Sequence, residues 1–174
     1  MNTRWTQRNP RWIWLVTVTI LLWLDQTTKS FFSNTLELGE AIAVTQWFNF
    51  VHVLNPGAAF SFLADAGGWQ RWFLIGISVM VVGIVSTVCL SRKADPLDRW
   101  VGAFVVGGGG GNLVDRIQSG AVVDFLDFHW RHIHWPAFNL ADIFVVCAAL
   151  VWGLVSWKTR ALPPPHPSAE ELPS

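Results

Sequence analysis

The feature that most constrains this chain is a run of 19 residues, Trp72 to Leu90, without a single charged side chain. A helix needs about 20 residues to cross the hydrocarbon core of a bilayer. Two further apolar stretches follow. Residues 100–114 reach that length only by extending through Ile117, and residues 138–157 contain one acid, Asp142. Charged residues make up 14% of the chain, whereas a soluble domain carries roughly 25%. The sequence therefore predicts a membrane protein.

The first apolar stretch, Trp12 to Leu24, has only 13 residues and is short enough for the hydrophobic region of a secretory signal. The small residues of a cleavage site do not follow it. Instead the chain continues through Asp25 and Lys29 to Phe32, which makes 21 residues from Trp12. We expect an uncleaved helix with a functional polar end. The expected spans are then about 12–32, 70–90, 99–118 and 137–157.

The basic residues predict the orientation of these spans, because cytoplasmic loops are enriched in Lys and Arg. Eight of the twelve flank the spans on one side: Arg4, Arg8, Arg11, Arg92, Lys93, Arg99, Lys158 and Arg160. The other side, with its helix ends, holds eight acids: Asp25, Glu37, Glu40, Asp65, Asp115, Asp124, Asp127 and Asp142. We expect both termini in the cytoplasm and the acids near the periplasmic face of a bacterial inner membrane.

The predicted fold class is an all-α membrane protein, a four-transmembrane-helix bundle with a small periplasmic β-rich surface segment. That segment lies in the outer residues 33–68, where Ala41 to Val53 mixes β-branched, aromatic and polar residues. Residues 119–136 are expected to form a second outer loop. Residues 1–161 would be one domain, and residues 162–174 a disordered cytoplasmic tail. The net charge of zero gives no basis for binding nucleic acid.

Placing an ionisable residue within a membrane span has a high free-energy cost, so such a residue is first considered a candidate functional residue. Asp142 lies near the start of the fourth span, after Pro136, and Asp124 lies among five apolar neighbours with Asp127. A hairpin could bring Asp124 beside Asp142. Two adjacent carboxylates share a proton, so one can activate water while the other protonates the substrate. The alternatives are an acid at an interfacial helix start and solvated loop acids.

Other polar residues could support such a site. Asn112 and Arg116 share a helix face at the end of span three, where Arg116 could hold a carbonyl or instead pair with Asp115 at the interface. Asp25 and Lys29 are also four residues apart, and we expect them to support the site structurally. Asn55 begins a turn and could bind an extended peptide, or simply belong to a surface turn.

Two further patterns have simpler interpretations. The glycines 107–111 would allow close approach of a helix or a substrate. His129, His132 and His134 alternate with apolar or basic residues and do not match a helical ligand pair, so the sequence predicts no metal site.

Taken together, the chain from Trp12 to Trp157 resembles the lipoprotein signal peptidase family, also called signal peptidase II. Five blocks carry the resemblance: Leu24-Asp25-Gln26-Thr27-Thr28-Lys29, Asn55-Pro56-Gly57-Ala58-Ala59-Phe60, Gly111-Asn112-Leu113-Val114-Asp115-Arg116, Val122-Val123-Asp124-Phe125 and Phe138-Asn139-Leu140-Ala141-Asp142. One departure is the unbroken glycine run 107–111, where such proteins often carry a larger apolar residue.

The resemblance implies that Asp124 and Asp142 are the catalytic pair of an intramembrane aspartic protease without metal or cofactor. It places Asn55, Asn112, Arg116 and Asn139 around the substrate and the pair. We also expect Gly57, Asp25, Lys29 and Asp115 to bind substrate or support the site. The implied substrate is a diacylglyceryl-modified prolipoprotein, cleaved just before the lipidated cysteine. Membrane lipids surround the enzyme, globomycin-type inhibitors block it, and we expect a monomer.

Two rival functions make different predictions. A small transporter or proton-coupled channel would place its carboxylates near the membrane midplane and often repeat half of its sequence. A lipid-binding or assembly protein would tolerate single Asp→Asn changes. The acids here lie near one edge of the spans, and the sequence has no visible repeat, which favours the protease.

Overall fold

A computed structural model describes residues 11–57 and 67–161 of the chain. It contains four long helices: α1 (Arg11–Thr35), α2 (Trp69–Leu90), α3 (Pro96–Gln118) and α4 (Leu140–Ala161). They occupy the four segments in which the sequence predicts helices. The expected disordered tail 162–174, Asp65 and the motif residues 58–60 lie outside the described residues.

Helix α3 is the centre of the bundle, because α1, α2 and α4 all pack against it. Its start is well defined: Pro96 occupies the first turn, and the Asp95 side chain accepts a hydrogen bond from the Leu97 N–H at 2.9 Å. That arrangement is typical of a capped helix N-terminus. A small apolar core of Trp14, Val18, Cys89, Ala103 and Val106 joins α1, α2 and α3.

Within the described part of the chain, two helical segments are long and apolar enough to cross a membrane. They are Trp69–Leu90, with a mean hydropathy of 2.6, and Leu140–Lys158, with 2.0. Most of their side chains face outwards; Trp72 is 69% exposed and Ile84 is 58% exposed. Such apolar surfaces suit lipid rather than water. Helices α1 and α3 have similar lengths but contain the charged side chains described below.

One four-stranded antiparallel sheet lies at one end of the bundle. Its strands, in spatial order, are β1 (Ala41–Thr45), β2 (Phe48–Asn55), β3 (Val122–Trp130) and β4 (Ile133–His134). The short strands predicted within residues 41–53 are therefore present. The prediction of a loop over residues 119–136 is wrong, since most of that segment forms β3 and β4. Its pairing with β2 is long-range, and no local pattern encodes it.

Helix α4 begins later than the sequence suggested. Pro136 favoured a start near residue 137, but the helix starts at Leu140. The intervening residues continue the sheet: Phe138 and Leu126 exchange two backbone hydrogen bonds, Phe138 N–H to Leu126 O at 3.0 Å and Leu126 N–H to Phe138 O at 2.9 Å. Asp142 is consequently the third residue of α4, within its first turn.

Candidate active site

A bulge in β3 directs Asp124 into the protein. The N–H groups of both Phe125 and Leu126 donate to the same acceptor, the Phe138 carbonyl, at 3.1 and 2.9 Å. Two residues of β3 thus face one residue of the neighbouring segment, which locally breaks the alternation of side chains. As a result Asp124, Phe125 and Asp127 are all buried, although a regular strand would turn Asp124 and Asp127 to opposite faces.

The start of α4 places Asp142 next to Asn139 through two reciprocal hydrogen bonds. The Asp142 N–H donates to Asn139 Oδ1 at 3.1 Å, and the Asn139 N–H donates to Asp142 Oδ2 at 3.2 Å. This is the geometry of a capping box, in which the first and fourth residues satisfy each other's backbone donors. Asp142 is therefore held rigidly at a helix N-terminus, where the helix dipole suits a negative charge.

Asn139 also binds the other carboxylate. Its Nδ2 donates to Asp124 Oδ1 at 2.6 Å, and Asn139 is completely buried. One asparagine thus contacts Asp142 with its backbone and Asp124 with its side chain. The two aspartates that the sequence paired, 18 positions apart in the chain, are brought together at this residue.

Asp124 lies in a setting that favours its neutral form. It is 2% exposed, and its second oxygen accepts a hydrogen bond from Asn55 Nδ2 at 3.1 Å. Burial, reinforced by the negative charge of Asp142, raises the pKa of Asp124 from 3.8 to about 7. The hydrogen bonds from Asn55 and Asn139 oppose that rise. Asp124 can therefore hold a proton near neutral pH.

Asn112 orients Asp142 from the neighbouring helix. Its Nδ2 donates to Asp142 Oδ1 at 2.9 Å, while its Oδ1 accepts from Lys29 Nζ at 2.8 Å. Because Lys29 can only donate, the amide of Asn112 must point its nitrogen at Asp142. Lys29 therefore positions the carboxylate through Asn112 without touching it.

Lys29 is the centre of a buried ion cluster. Its ammonium group lies 2.8 Å from Asp25 Oδ2 and 3.0 Å from Asp115 Oδ2, and all three side chains are at most 8% exposed. Asp25 Oδ1 in turn accepts from the Ala141 N–H at 3.0 Å, at the start of α4. The cluster connects α1, α3 and the start of α4, one residue before Asp142.

Arg116 does not pair with Asp115, whose oxygens are taken by Lys29, Gln26 and the Val123 N–H. Its Nη2 instead donates a hydrogen bond to the Gly57 carbonyl at 2.7 Å. Gly57 ends a turn in which its N–H donates to the Asn55 side chain. The Arg116 side chain is 8% exposed, and its Nε has no hydrogen-bond partner among the described residues. A buried donor without a partner is unusual and is available to a ligand.

Asp127, the other acid of β3, belongs to a separate cluster. It accepts from Asn49 Nδ2 at 2.9 Å and lies 3.0 Å from His134 Nδ1. The His134 ring stacks on His129 at 5.0 Å between centroids. These contacts join β2, β3 and β4. Asp127 therefore belongs to a different hydrogen-bonded cluster from Asp124.

The glycine run 107–111 allows three close approaches to the site. A β-carbon on Gly108 would overlap the Ala141 carbonyl oxygen, and one on Gly111 would overlap the Asp25 carboxylate. A β-carbon on Gly107 would lie 2.7 Å from Leu21 Cβ. The run therefore lets α1 and α4 pack tightly on α3, while Gly109 has only Val82 Cγ2 nearby, at 3.7 Å.

The sequence did not single out two contributors. Gln26 Nε2 donates to Asp115 Oδ1 at 2.9 Å and completes the ion cluster. Arg71 donates to the carbonyls of Arg116 and Ile117, at 2.9 and 2.8 Å, and so caps the C-terminal end of α3. The available signal for Gln26 was its place inside the Asp25 to Lys29 block. Nothing local to Arg71 indicates its partner.

The chain is similar to known proteins over most of its length. Residues 17–158 match the family model described as Signal peptidase (SPase) II. A protein of Aeromonas hydrophila named lipoprotein signal peptidase is 44% identical over 92% of this chain and 96% of its own length. One of the same name from Shewanella halifaxensis is 45% identical over 91% of this chain and 93% of its own length.

Two solved structures share the fold. Both are titled as bacterial membrane enzymes, determined at 2.3 and 1.9 Å resolution, with TM-scores of 0.75 and 0.72 to this chain. The first covers 92% of this chain and 94% of its own at 20% identity, and the second covers 84% and 93% at 22% identity.

Proposed function

Because this chain belongs to the signal peptidase II family, we propose that Asp124 and Asp142 are the catalytic pair of its protease activity. As a lipoprotein signal peptidase, the protein removes signal peptides from prolipoproteins. The observation that carries the assignment is the shared asparagine: Asn139 contacts Asp124 with its side chain and Asp142 with its backbone. Two carboxylates fixed in this way form an acid–base pair.

The two aspartates take different roles. Asp142 accepts hydrogen bonds from Asn112 and from the Asn139 N–H at a helix N-terminus, an environment that suits a carboxylate. It takes a proton from the attacking water. Asp124, whose pKa burial raises to about 7, donates its proton to the substrate carbonyl oxygen. Collapse of the resulting diol breaks the C–N bond, and a proton passes from the pair to the leaving amine.

Substrate binding follows from the residues beside the pair. Arg116 Nε faces no protein acceptor among the described residues, so we assign it to a carbonyl oxygen of the bound peptide. Asn55 and Gly57 form the turn that Arg116 contacts and complete that wall of the site. The peptide is cut just before a diacylglyceryl-modified cysteine. Globomycin-type inhibitors would compete for the same site, and a monomer suffices, because the pair belongs to one chain.

The membrane placement of this site is also a proposal. The four helices span the inner membrane as a single domain, with both termini in the cytoplasm. The distribution of Lys and Arg supports this orientation, and the outward-facing apolar side chains of α2 and α4 support the embedding. The sheet and the pair then lie near the periplasmic face, where a secreted precursor presents its cleavage site.

The test is cleavage of a diacylglyceryl-modified precursor by purified protein. Asp124→Asn and Asp142→Asn should each lower kcat by at least about 10²–10⁴-fold, the usual contribution of general acid–base catalysis. Asp127→Asn is the matched control on the same strand and should retain substantial activity. The double mutant should be little worse than either single one, because the pair acts as a unit.

Cleavage should also survive EDTA, since the proposed steps use only the two carboxyl groups and a water molecule. Robust cleavage by either single Asn variant, at a matched protein level, would remove that residue from the pair. An Asp127→Asn variant as inactive as Asp124→Asn would show that the sheet, rather than the pair, had been damaged.

A further inference from the structure

Arg71 lies where its own helix does not favour a cation. It is the third residue of α2, within the first turn, where the helix dipole presents partial positive charge. The first four residues of α2, Trp69 to Trp72, include no acid that could offset the charge of Arg71. Residues local to Arg71 therefore do not account for it, and its hydrogen-bond acceptors lie in α3.

These acceptors are two carbonyl groups at the end of α3. The last four carbonyl groups of a helix have no partner within the helix, and those of Arg116 and Ile117 are among the last four of α3. Arg71 donates to the first from Nε at 2.9 Å and to the second from Nη2 at 2.8 Å. Because a guanidinium is planar, its donors point in fixed directions. Arg71 therefore fixes the direction of both peptide groups.

The guanidinium of Arg71 also packs on the turn that follows α3. Gly120, in that turn, has a φ of +84°, a left-handed conformation that favours glycine. A β-carbon on Gly120 would lie 3.3 Å from Arg71 Nη1 and 3.4 Å from Cζ. The centroid of the Trp72 ring lies 5.4 Å from the same Cζ. Arg71 thus has contacts with the end of α3 and with the turn that leads into β3.

Arg116 connects these contacts to the candidate active site. Its backbone carbonyl accepts from Arg71, while its side chain donates to the Gly57 carbonyl at 2.7 Å. The Nε of the same side chain is buried and has no hydrogen-bond partner among the described residues. The rotamer that a side chain adopts depends on its backbone, so the direction of this Nε depends on the peptide groups that Arg71 holds.

We propose that Arg71 is a positioning residue for substrate binding, which fixes the backbone of Arg116 so that its Nε faces a carbonyl oxygen of the bound peptide. The inference rests on the proposed function, since it names what holds the group assigned there to the substrate. The simpler explanation is that Arg71 only stabilises the end of α3. The two explanations differ in KM, because a helix cap that only stabilises the fold leaves peptide binding unchanged.

Arg99 provides a matched control within the same chain. It is the fourth residue of α3 and contacts the end of α2 in the same way: its Nε donates to the Cys89 carbonyl at 3.1 Å and its Nη2 to the Ser91 carbonyl at 3.0 Å. Arg99 precedes Arg116 by 17 residues, or about 26 Å along a helix. It therefore has the chemistry of Arg71 without the connection to the site.

The first test compares Arg71→Met with Arg99→Met in cleavage of a diacylglyceryl-modified precursor by the full-length protein. Arg71→Met should raise KM by about 10-fold, the lower end of what a hydrogen bond to a charged group contributes, and leave kcat nearly unchanged. Arg71→Lys keeps the charge without the planar pair of donors and should recover part of the lost affinity. Arg99→Met should lower the unfolding temperature by a similar amount and leave KM unchanged. Equal KM values for the two Met variants would overturn the proposal.

A double-mutant cycle shows whether Arg71 acts through Arg116. Arg116→Ala alone should raise KM, and adding Arg71→Met should raise it no further, because the side chain that Arg71 positions is already absent. A further rise as large as that from Arg71→Met alone would show independent action and overturn the proposal. The proposed function fails separately, if the wild-type protein cleaves no modified precursor.

A third variant perturbs Arg71 without replacing it, and so tests the proposal even if Arg71→Met does not fold. The methyl group added by Gly120→Ala should displace the guanidinium and raise KM. Gly39→Ala is the matched control, since Gly39 has a φ of +85° and nothing in the described part of the chain lies within 4 Å of the added methyl group. Both variants strain the backbone, but only Gly120→Ala meets Arg71. A KM that rises equally in both, or in neither, would overturn the proposal.

Discussion

Asn139 donates from Nδ2 to Asp124 Oδ1 at 2.6 Å, which joins the start of α4 to the beginning of β3. Neither residue has appreciable exposure to solvent. The carboxylate of Asp124 therefore keeps its place relative to Asp142, which Asn139 caps through the backbone. This buried amide links the two members of the proposed acid–base pair, while Asn112 orients Asp142 and Asn55 contacts Asp124.

The pH dependence of cleavage should report Asp124. Burial raises its pKa to about 7, so the side chain is neutral below that pH and charged above it. If the neutral acid protonates the substrate, kcat/KM should fall as pH rises through about 7, by about tenfold per unit. The Asp127→Asn variant should show the same decrease in kcat/KM above about pH 7. An activity that keeps rising between pH 7 and 9 would contradict this role.

The same group should affect stability in a defined direction. The pKa of Asp124 in the folded protein, about 7, lies above the ordinary value of 3.8. Between these two pH values the folded protein therefore binds more protons than the unfolded chain. The contribution of Asp124 to stability is then greatest below about 4, declines up to about 7 and is constant above that pH. Compared with the wild type, Asp124→Asn should therefore be relatively more stable at pH 8 than at pH 5, measured by thermal unfolding in detergent.

Removing the cation of the buried cluster should destabilise the protein strongly. Lys29→Met leaves Asp25 and Asp115 buried without a cation, and breaking a buried ion pair costs about 3–5 kcal/mol. Thermal unfolding in detergent measures the loss. Adding Asp115→Asn should recover part of it, because one uncompensated charge is removed. Lys93→Met, at an exposed position of the loop between α2 and α3, is the control and should change stability by about 0.5 kcal/mol or less.

Two adjacent glycines should respond differently to alanine. Gly108→Ala places a methyl group against the Ala141 carbonyl oxygen and should push α4 away from α3. We expect a loss of about 1–3 kcal/mol and lower activity, because Asp142 follows Ala141. The added methyl group of Gly109→Ala meets only Val82 Cγ2, at 3.7 Å, so stability and activity should both be unchanged. Similar losses from the two variants would show that the run acts through flexibility rather than close packing.

The proposed orientation predicts where reporters will lie. Fusions at Thr159 and within residues 91–99 should report the cytoplasm, because these segments carry basic residues next to helix ends. Fusions near Glu40, in the segment that leads into β1, should report the periplasm. A C-terminal reporter in the periplasm would overturn the four-span arrangement.

The local sequence predicts the helices and one ion pair of this protein. The positions of the four helices follow from apolar length, and the pairing of Asp25 with Lys29 follows from their spacing of four residues. Helix spacing indicated Asn112 and the resemblance indicated Asn139, but the contacts of neither residue could be predicted from spacing. Asn112 touches Lys29 and Asp142, which are 83 and 30 residues away. Such contacts depend on how the helices pack.

What the sequence by itself determined is the set of helices and the helix ends at which their polar residues gather, because apolar periodicity and charge act over a few turns. The tertiary structure alone decided that residues 122–130 form a strand beside β2, that a bulge turns Asp124 inwards, and that α4 starts at Leu140 rather than beside Pro136. Each depends on backbone hydrogen bonds between segments far apart in the chain, such as the pairing of Asn55 with Val122. Those bonds form only when the bundle brings the segments together, so no local pattern of side chains records them.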